Sequence, residues 1–287
     1  MKRIIIHGGC GAIEDKNTSF ETYHEHLIPI IKSSSAMLEK NNNAIETAIY
    51  AINLLEDDPI FNAGTGSRVQ QDGQIRMSAS YMDSIKNKFS SVINIQNIRY
   101  PSVVAYELSK KKHSVLASDC ATRFAHEALS IPPYNPLTES RWQEYLENVK
   151  GKTGTVGVVV LDDHGVICAM TSTGGVGYET PGRVGDSPTI AGNYASNLMG
   201  VACTGIGEEI VNKAIAAKIH TRVLDGMSLQ NSMDKTITES DLDDEYIGII
   251  ALDKFGNIYS RSTKVARALY ASYNGIDYET FFTASND

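Results

Sequence analysis

The sequence predicts an α+β fold of stacked layers with mainly antiparallel sheets. Its helical patterns come in two batches rather than alternating singly with strands. Its strand-like segments come in pairs joined by turns, at Asp162-Asp163-His164-Gly165 and around Phe255-Gly256. With 287 residues, no internal repeat and no low-complexity tract, the chain can bury a sizeable core as one large domain or two small ones.

The elements follow in order. Arg3 to His7 reads as a short buried strand ending in a glycine turn. Phe20 to Lys40 and Ala44 to Glu56 are periodic and long enough for two helices, parted by Asn41-Asn42-Asn43 and stopped by Asp57-Asp58-Pro59. Asp72-Gly73 is a hairpin-type turn signal before a strand over Ile75 to Met82, and Ser90 to Ile95 reads as another strand. Ser102 to Ser109 and Ala117 to Ala128 read as helices, and Ile131-Pro-Pro-Tyr-Asn-Pro136 cannot be regular structure. Thr138 to Val149 fits a short helix, and Lys150 to Gly154 an exposed linker. Then come a hairpin of Thr155 to Leu161 with Val166 to Thr173, a strand at Val201 to Thr204 and a helix over Glu208 to Ile219. Tyr246 to Leu252 and Asn257 to Lys264 form a final hairpin.

A hydrophobic share of 42% and a charged share of 21% describe an ordinary soluble globular chain. The net charge of -8 gives no electrostatic pull toward nucleic acid or anionic lipid. A small, soluble or zwitterionic partner fits better. The apolar run after Met1-Lys2-Arg3 stops at His7-Gly8-Gly9, too short for a signal peptide, and no stretch reaches membrane-spanning length. Cys10, Cys120, Cys168 and Cys203 lack metal-ligand spacing, which suggests reduced thiols and a cytoplasmic location.

The stretch Lys152-Thr-Gly-Thr-Val-Gly-Val-Val-Val160 places a hydroxyl between Gly154 and a buried strand. A threonine there is usually just a β-former. Three features shift the weight: Thr155 follows a glycine in a loop, "TSTGG" (171–175) lies one hairpin away, and "CTGIGE" (203–208) repeats the Thr-Gly ending after a third strand. These three strand ends are expected to converge at one sheet edge. A threonine nucleophile needs a base. His164 sits on the far turn of the hairpin, and His7 lies in a distant glycine turn. The alternative base is the α-amino group of Thr155 itself, whose reference pKa is roughly 7.7–8.0. That group exists only if the chain is cut between Gly154 and Thr155.

Six blocks carry a family resemblance: "HGGCGAI" (7–13), "FNAGTGS" (61–67) with "MSASYMDS" (77–84), "TGTVGVVVLDDHG" (153–165), "TSTGG", "GRVGDSP" (182–188) and "CTGIGE". In this order and spacing the sequence resembles the plant-type L-asparaginase / isoaspartyl peptidase family, N-terminal-nucleophile hydrolases that also include glycosylasparaginase. The resemblance runs from about Arg3 to Lys264.

It implies an αββα four-layer sandwich in a single domain over residues 1–287, self-cleaved into an α chain of 1–154 and a β chain of 155–287. Thr155 matches the nucleophile, Thr173 the threonine that hydrogen-bonds and tunes it, and Thr204 with Gly205 the oxyanion hole. Arg183 matches the clamp for a substrate α-carboxylate, Asp186 that for its α-ammonium, and Gly207 a carbonyl that helps hold the ammonium. Without the resemblance, Arg183 and Asp186 read as a surface ion pair. Asn62 matches an asparagine that reaches the site from the first half. Main-chain carbonyls of Leu55, Glu56, Asp58, Phe61, Ala63 and Thr65 would hold a structural sodium ion.

The implied activity is hydrolysis of L-asparagine and β-aspartyl dipeptides, without an organic cofactor, by a homodimer of αβ units; glycosylasparaginase is the second reading. Four features depart from the family pattern: Ser78 stands for a usual Asp, Cys10 for Ala and Glu179 for Lys, and "SPTIAGNYASN" is one residue short. The linker before Thr155 is also short.

Overall fold

A computed structural model describes residues 1–12, 20–41, 43–149 and 154–282. Ile13, Asn42 and the linker residues Lys150 to Thr153 lie outside the described residues, so the readings that fall on them are not tested.

The strands are β1 (Arg3–Ala12), β2 (Met77–Asp83), β3 (Ser90–Ile95), β4 (Val115–Ala117), β5 (Val156–Leu161), β6 (Ile167–Thr173), β7 (Asn193–Ala195), β8 (Met199–Gly205), β9 (Ile247–Asp253), β10 (Ile258–Ser262), β11 (Ala266–Tyr273) and β12 (Tyr278–Thr280). They form an eight-stranded sheet in the order β12-β11-β1-β5-β6-β2-β3-β4 and a four-stranded sheet in the order β10-β9-β8-β7. Every pairing is antiparallel except β3 with β4. The sheets stack, with β5 and β6 against β8, and β1 and β11 against β9.

Helices α1 (Phe20–Asn41), α2 (Ala44–Asp57) and α3 (Pro101–Ser109) pack on the large sheet, and α6 (Gly207–Lys213), α7 (Ile215–Leu224) and α8 (Leu229–Asp241) on the small one. The smaller α4 (Ser118–Arg123) packs on β3 and β4, and α5 (Glu139–Leu146) is tied through Arg141 to the carbonyls of Ile60 and Gly66. The order helix, sheet, sheet, helix is the four-layer sandwich of N-terminal-nucleophile hydrolases.

Strand β5 shows why the layers stack as they do. Val156, Val158, Val159 and Val160 are all fully buried. A strand apolar on both faces needs cover on both, and α2 and β8 supply it. The β5–β6 turn forms as its residues predict: the Asp162 carboxylate accepts the N–H groups of His164 and Val166 at 3.0 Å each. Its other oxygen accepts the Ala44 N–H at 2.9 Å, tying the turn to the start of α2.

Several elements differ from the sequence reading. Strand β1 runs five residues further, past a bulge between His7 and Cys10, because β11 pairs with it on the far side. The helix expected over Glu208 to Ile219 breaks at Ala214, which has φ 50°. The break lets the first N–H groups of α7 reach the carbonyls of Ala191 and Ile190. The stretch Ala117 to Ala128 splits into the end of β4, α4 and a π-turn at Phe124–Ala128. Strands β7, β11 and β12 and helix α8 have no counterpart in the sequence reading. The alanine-rich β11 is a strand because of its neighbours β1 and β12, not its own propensity. The hydroxyl-bearing strand ends do not share one sheet edge. Thr155 and Thr173 belong to the large sheet, and Thr204 to the small one that stacks on it.

Candidate active site

Thr155 stands at the entry to β5 and is 7% exposed. In the continuous chain its nitrogen is a peptide N–H, so its α-amino group becomes available only on cleavage. Gly154 leaves no room for a side chain, since a Cβ there would lie 2.4 Å from Asn62 Cβ. The Gly154 carbonyl accepts the Asn62 main-chain N–H at 3.2 Å. The Asn62 side chain donates to the Gly175 carbonyl at 2.6 Å and accepts the Arg68 N–H at 2.9 Å. Asn62 therefore staples the first half of the chain to the junction and to the end of β6.

The Thr155 hydroxyl donates to Thr173 Oγ1 at 3.2 Å and lies 3.2 Å from Ser187 Oγ. Thr173 Oγ1 also accepts the Gly175 N–H at 3.1 Å. Antiparallel pairing of β5 with β6 brings Thr173 beside Thr155. Ser187 is a contact that the sequence reading missed. Its only signal there was its place directly after Asp186.

His7 is not distant in space. Strand β1 pairs with β5, and a side chain at Gly157 would collide with the imidazole. The ring is fully buried, and Nδ1 accepts the Gly9 N–H at 3.2 Å. Burial lowers its pKa to about 3; the nearby Thr155 backbone pulls the other way, although Nε2 makes no well-formed hydrogen bond among the described residues. This histidine is neutral at physiological pH and faces the backbone of Thr155 rather than its hydroxyl.

Across the stack, Thr204 is fully buried, and its hydroxyl has no hydrogen-bond partner among the described residues. Such an orphan costs free energy unless something occupies it. Gly205 has φ 146°, and a Cβ there would lie 2.1 Å from the Tyr246 carbonyl oxygen. Only glycine lets β8 end in this conformation.

Arg183 does not pair with Asp186. It makes a bidentate pair with Glu208, Nε to Oε1 at 2.8 Å and Nη2 to Oε2 at 2.6 Å. The guanidinium holds the Glu208 carboxyl below its ordinary value. Asp186 is 3% exposed, and its Oδ2 has no partner among the described residues. Burial pushes its pKa from 3.8 up to about 7, while backbone N–H groups and Arg183 pull it down. Gly207 opens α6 against Arg183, Gly185 and Asp186. Gly154, Thr155, Thr173, Arg183, Asp186, Ser187, Gly205 and Gly207 share one cavity of about 10 Å³. That is about the least space that holds a water. With Gly154 in place there is no room for an amino acid.

The loop expected to hold sodium does not line this cavity. Its carboxylates point elsewhere. Glu56 accepts Ser102 N–H at 3.1 Å, Ser102 Oγ at 2.5 Å and Ser172 Oγ at 2.6 Å, and Asp58 pairs with His26 at 2.6 Å. The Glu56 carbonyl accepts the Thr65 N–H at 2.7 Å, and Arg141 donates to the Gly66 and Ile60 carbonyls at 2.6 and 3.1 Å. Main-chain carbonyls are donors that suit a hard cation, but in this loop the Glu56 and Asp58 carbonyls already accept the Thr65 and Phe61 N–H groups. Among the described residues no group of three His, Cys, Asp or Glu side chains is placed to hold a metal.

Two departures from the family pattern lie close by. Glu179 is 8% exposed, accepts Gln70 Nε2 at 3.0 Å and accepts the Val176 N–H on the cavity wall. Ser78 Oγ accepts the Asn94 N–H at 3.0 Å.

A family model described as Asparaginase matches residues 1–153 and 146–280. An isoaspartyl peptidase/L-asparaginase of Synechocystis sp. is 40% identical over 288 residues, covering 93% of this chain and 87% of the relative. A plant-type L-asparaginase of Pyrococcus horikoshii is 33% identical, covering 92% and 94%. An isoaspartyl peptidase of Escherichia coli is 33% identical, covering 89% and 88%. Among the described residues no helix is long and apolar enough to cross a membrane. With the four-layer fold and the threonines, arginine and aspartate gathered at one junction, these matches show that the chain belongs to the asparaginase family of amide-bond hydrolases.

Proposed function

We propose that this chain is an isoaspartyl peptidase/L-asparaginase that cuts itself at Gly154–Thr155 and then uses Thr155 as its nucleophile. The observation that carries the reading is the Thr155 hydroxyl, seated between Thr173 and Ser187 at a junction where only glycine fits. Self-cleavage begins when Thr155 Oγ1 attacks the Gly154 carbonyl carbon. The Asn62 N–H already bonded to that carbonyl oxygen stabilises the oxyanion. The C–N bond breaks, the proton passes to the Thr155 nitrogen, and water hydrolyses the resulting ester. The products are a Gly154 carboxylate and a free Thr155 amine.

In turnover that amine takes the proton from Oγ1. Arg183 pairs with the substrate α-carboxylate, and Asp186 with its ammonium, helped by the Gly207 carbonyl. The unpartnered Thr204 hydroxyl and the Gly205 N–H meet the oxyanion. The β-aspartyl ester on Thr155 releases ammonia or an amino acid, and water frees aspartate. Carbonyls of Leu55, Glu56, Asp58, Phe61, Ala63 and Thr65 would hold a sodium ion that stiffens the loop behind Asn62. The relatives are named for isoaspartyl peptidase and asparaginase activity, which favours this reading over glycosylasparaginase. A homodimer of αβ units and a cytoplasmic location complete the proposal.

Intact mass measurement, with ammonia release from L-asparagine and aspartate release from β-Asp-Leu, tests it. Wild type is expected as two chains with both activities, and Thr155→Ala as one uncut, inactive chain of 31.3 kDa. A two-chain, fully active Thr155→Ala protein refutes the assignment.

A further inference from the structure

We propose that Ser187 is a positioning residue for the Thr155 hydroxyl, held by a buried clamp of Ser80, Thr171 and Asn193. The inference rests on Thr155 being the nucleophile.

Ser187 lies in the irregular segment between β6 and β7, yet it is 1% exposed. Its carbonyl accepts two side-chain hydroxyls, Ser80 Oγ at 2.6 Å and Thr171 Oγ1 at 2.7 Å. These come from directly paired positions on neighbouring strands β2 and β6, and their oxygens are 2.8 Å apart. Asn193, on β7 of the other sheet, donates to Ser80 Oγ at 3.1 Å and to the Ala169 carbonyl at 3.2 Å. Ser80, Thr171 and Asn193 are fully buried.

Three polar side chains between two apolar sheets are costly compared with Ala or Val unless their hydrogen bonds hold something in place. What they hold is the Ser187 backbone. Ser80 and Thr171 hold it from the large sheet and Asn193 braces Ser80 from the small one, with the Ser187 hydroxyl 3.2 Å from Thr155 Oγ1.

A threonine side chain has three staggered rotamers. Hydrogen bonds to Thr173 and Ser187 together select one. The selection matters most in the uncut chain, where Oγ1 must reach the carbonyl preceding its own residue and no amine is present to guide it. The family resemblance places Thr173 in this task but assigns Ser187 no part, and the clamp behind Ser187 comes from three separate segments.

The test uses two variants of the full chain, Ser187→Ala and Thr171→Val. Cleavage is followed by denaturing gel after cell-free synthesis, and kcat and KM for L-asparagine are measured on the fully cut protein. Ser187→Ala is expected to cut about tenfold slower and to lose about tenfold in kcat with KM within about twofold, the scale of a misaimed reacting group. Thr171→Val, which removes one hydroxyl from the clamp, is expected to shift both rates the same way by a smaller factor. Wild-type cleavage and kcat in Ser187→Ala overturn the proposal while leaving the reading of Thr155 intact. So does a rise in KM alone, which would mean that Ser187 acts only on the loop that carries Asp186. If Ser187→Ala does not fold, the same outcomes in Thr171→Val decide. A wild-type chain that neither cuts nor hydrolyses overturns the reading of Thr155, and this proposal with it.

Discussion

Binding of L-aspartate to the cut enzyme is expected to weaken steeply as the pH falls below 7. The group responsible is Asp186, whose carboxyl burial holds at about 7 in the uncut chain, where Gly154 still closes the site. The substrate ammonium requires the ionised form. At pH 5, two units lower, only about one carboxyl in a hundred is ionised, so Kd rises about a hundredfold over its alkaline plateau, or about 2.7 kcal/mol. Between pH 5 and 7 the neighbouring groups mostly hold their charge: the free Thr155 amine, with a reference pKa of roughly 7.7–8.0, stays mainly protonated. Arg183 stays protonated, Arg183 keeps Glu208 ionised, and burial pushes the Cys203 thiol well up, so it stays neutral. Over the same interval L-aspartate keeps its ammonium and both carboxylates charged. Titration calorimetry at pH 6 in two buffers of different ionisation enthalpy should show nearly one proton released per ligand bound. A Kd constant within about twofold from pH 5 to 8 would refute the reasoning, as would an unchanged pH slope in Asp186→Asn.

The same shift predicts a change in stability. The folded-state pKa of Asp186 is raised, so the native state binds more protons than the unfolded chain between pH 3.8 and about 7. Stability from this group is full below the lower value and is lost as pH rises through the upper one. Asp186→Asn should therefore melt higher than ligand-free wild type at pH 8 while still binding aspartate, only more weakly. An unchanged or lower Tm counts against a costly buried charge at this position.

The remaining predictions concern single contacts. Glu208→Gln weakens the bidentate partner of Arg183, and steady-state assays should show KM for L-asparagine rising about three- to tenfold, with kcat within about twofold. Gly154→Ala places a Cβ 2.4 Å from Asn62 Cβ, so mass spectrometry should find cleavage slowed by about a hundredfold. Thr204→Val should lower kcat/KM by about 10²–10³-fold through loss of an oxyanion donor. It should also raise Tm, because it replaces a buried hydroxyl that has no partner among the described residues.

Some of this was legible in the chain itself. Turn chemistry and valine density are local, so the β5–β6 hairpin formed where Asp162 to Gly165 placed it. Helices α1 and α2 began at the expected residues, since their periodicity and stop signals lie within each segment. Ala214 was not legible. The sequence on either side is helical, and the break answers to the carbonyls of Ile190 and Ala191, more than twenty residues earlier. Strand β11 was missed for the same reason, because an alanine-rich segment gains strand character only from partners.

By itself, the sequence determined the layered class of the fold and the charged residue types that the structure sets around Thr155. Only the tertiary structure decided that Thr204 ends a strand of the small sheet while Thr155 leads into one of the large sheet, and that Arg183 pairs with Glu208 rather than Asp186. It alone buried Asp186 far enough to titrate near 7, and it alone brought Ser187 to the hydroxyl of Thr155. Spacing and turn propensity act over a few residues and can be read in order along the chain. Burial and hydrogen-bond partnership depend on which distant segments share a layer, and the pairing of β5 and β6 and the stacking of the two sheets settle that.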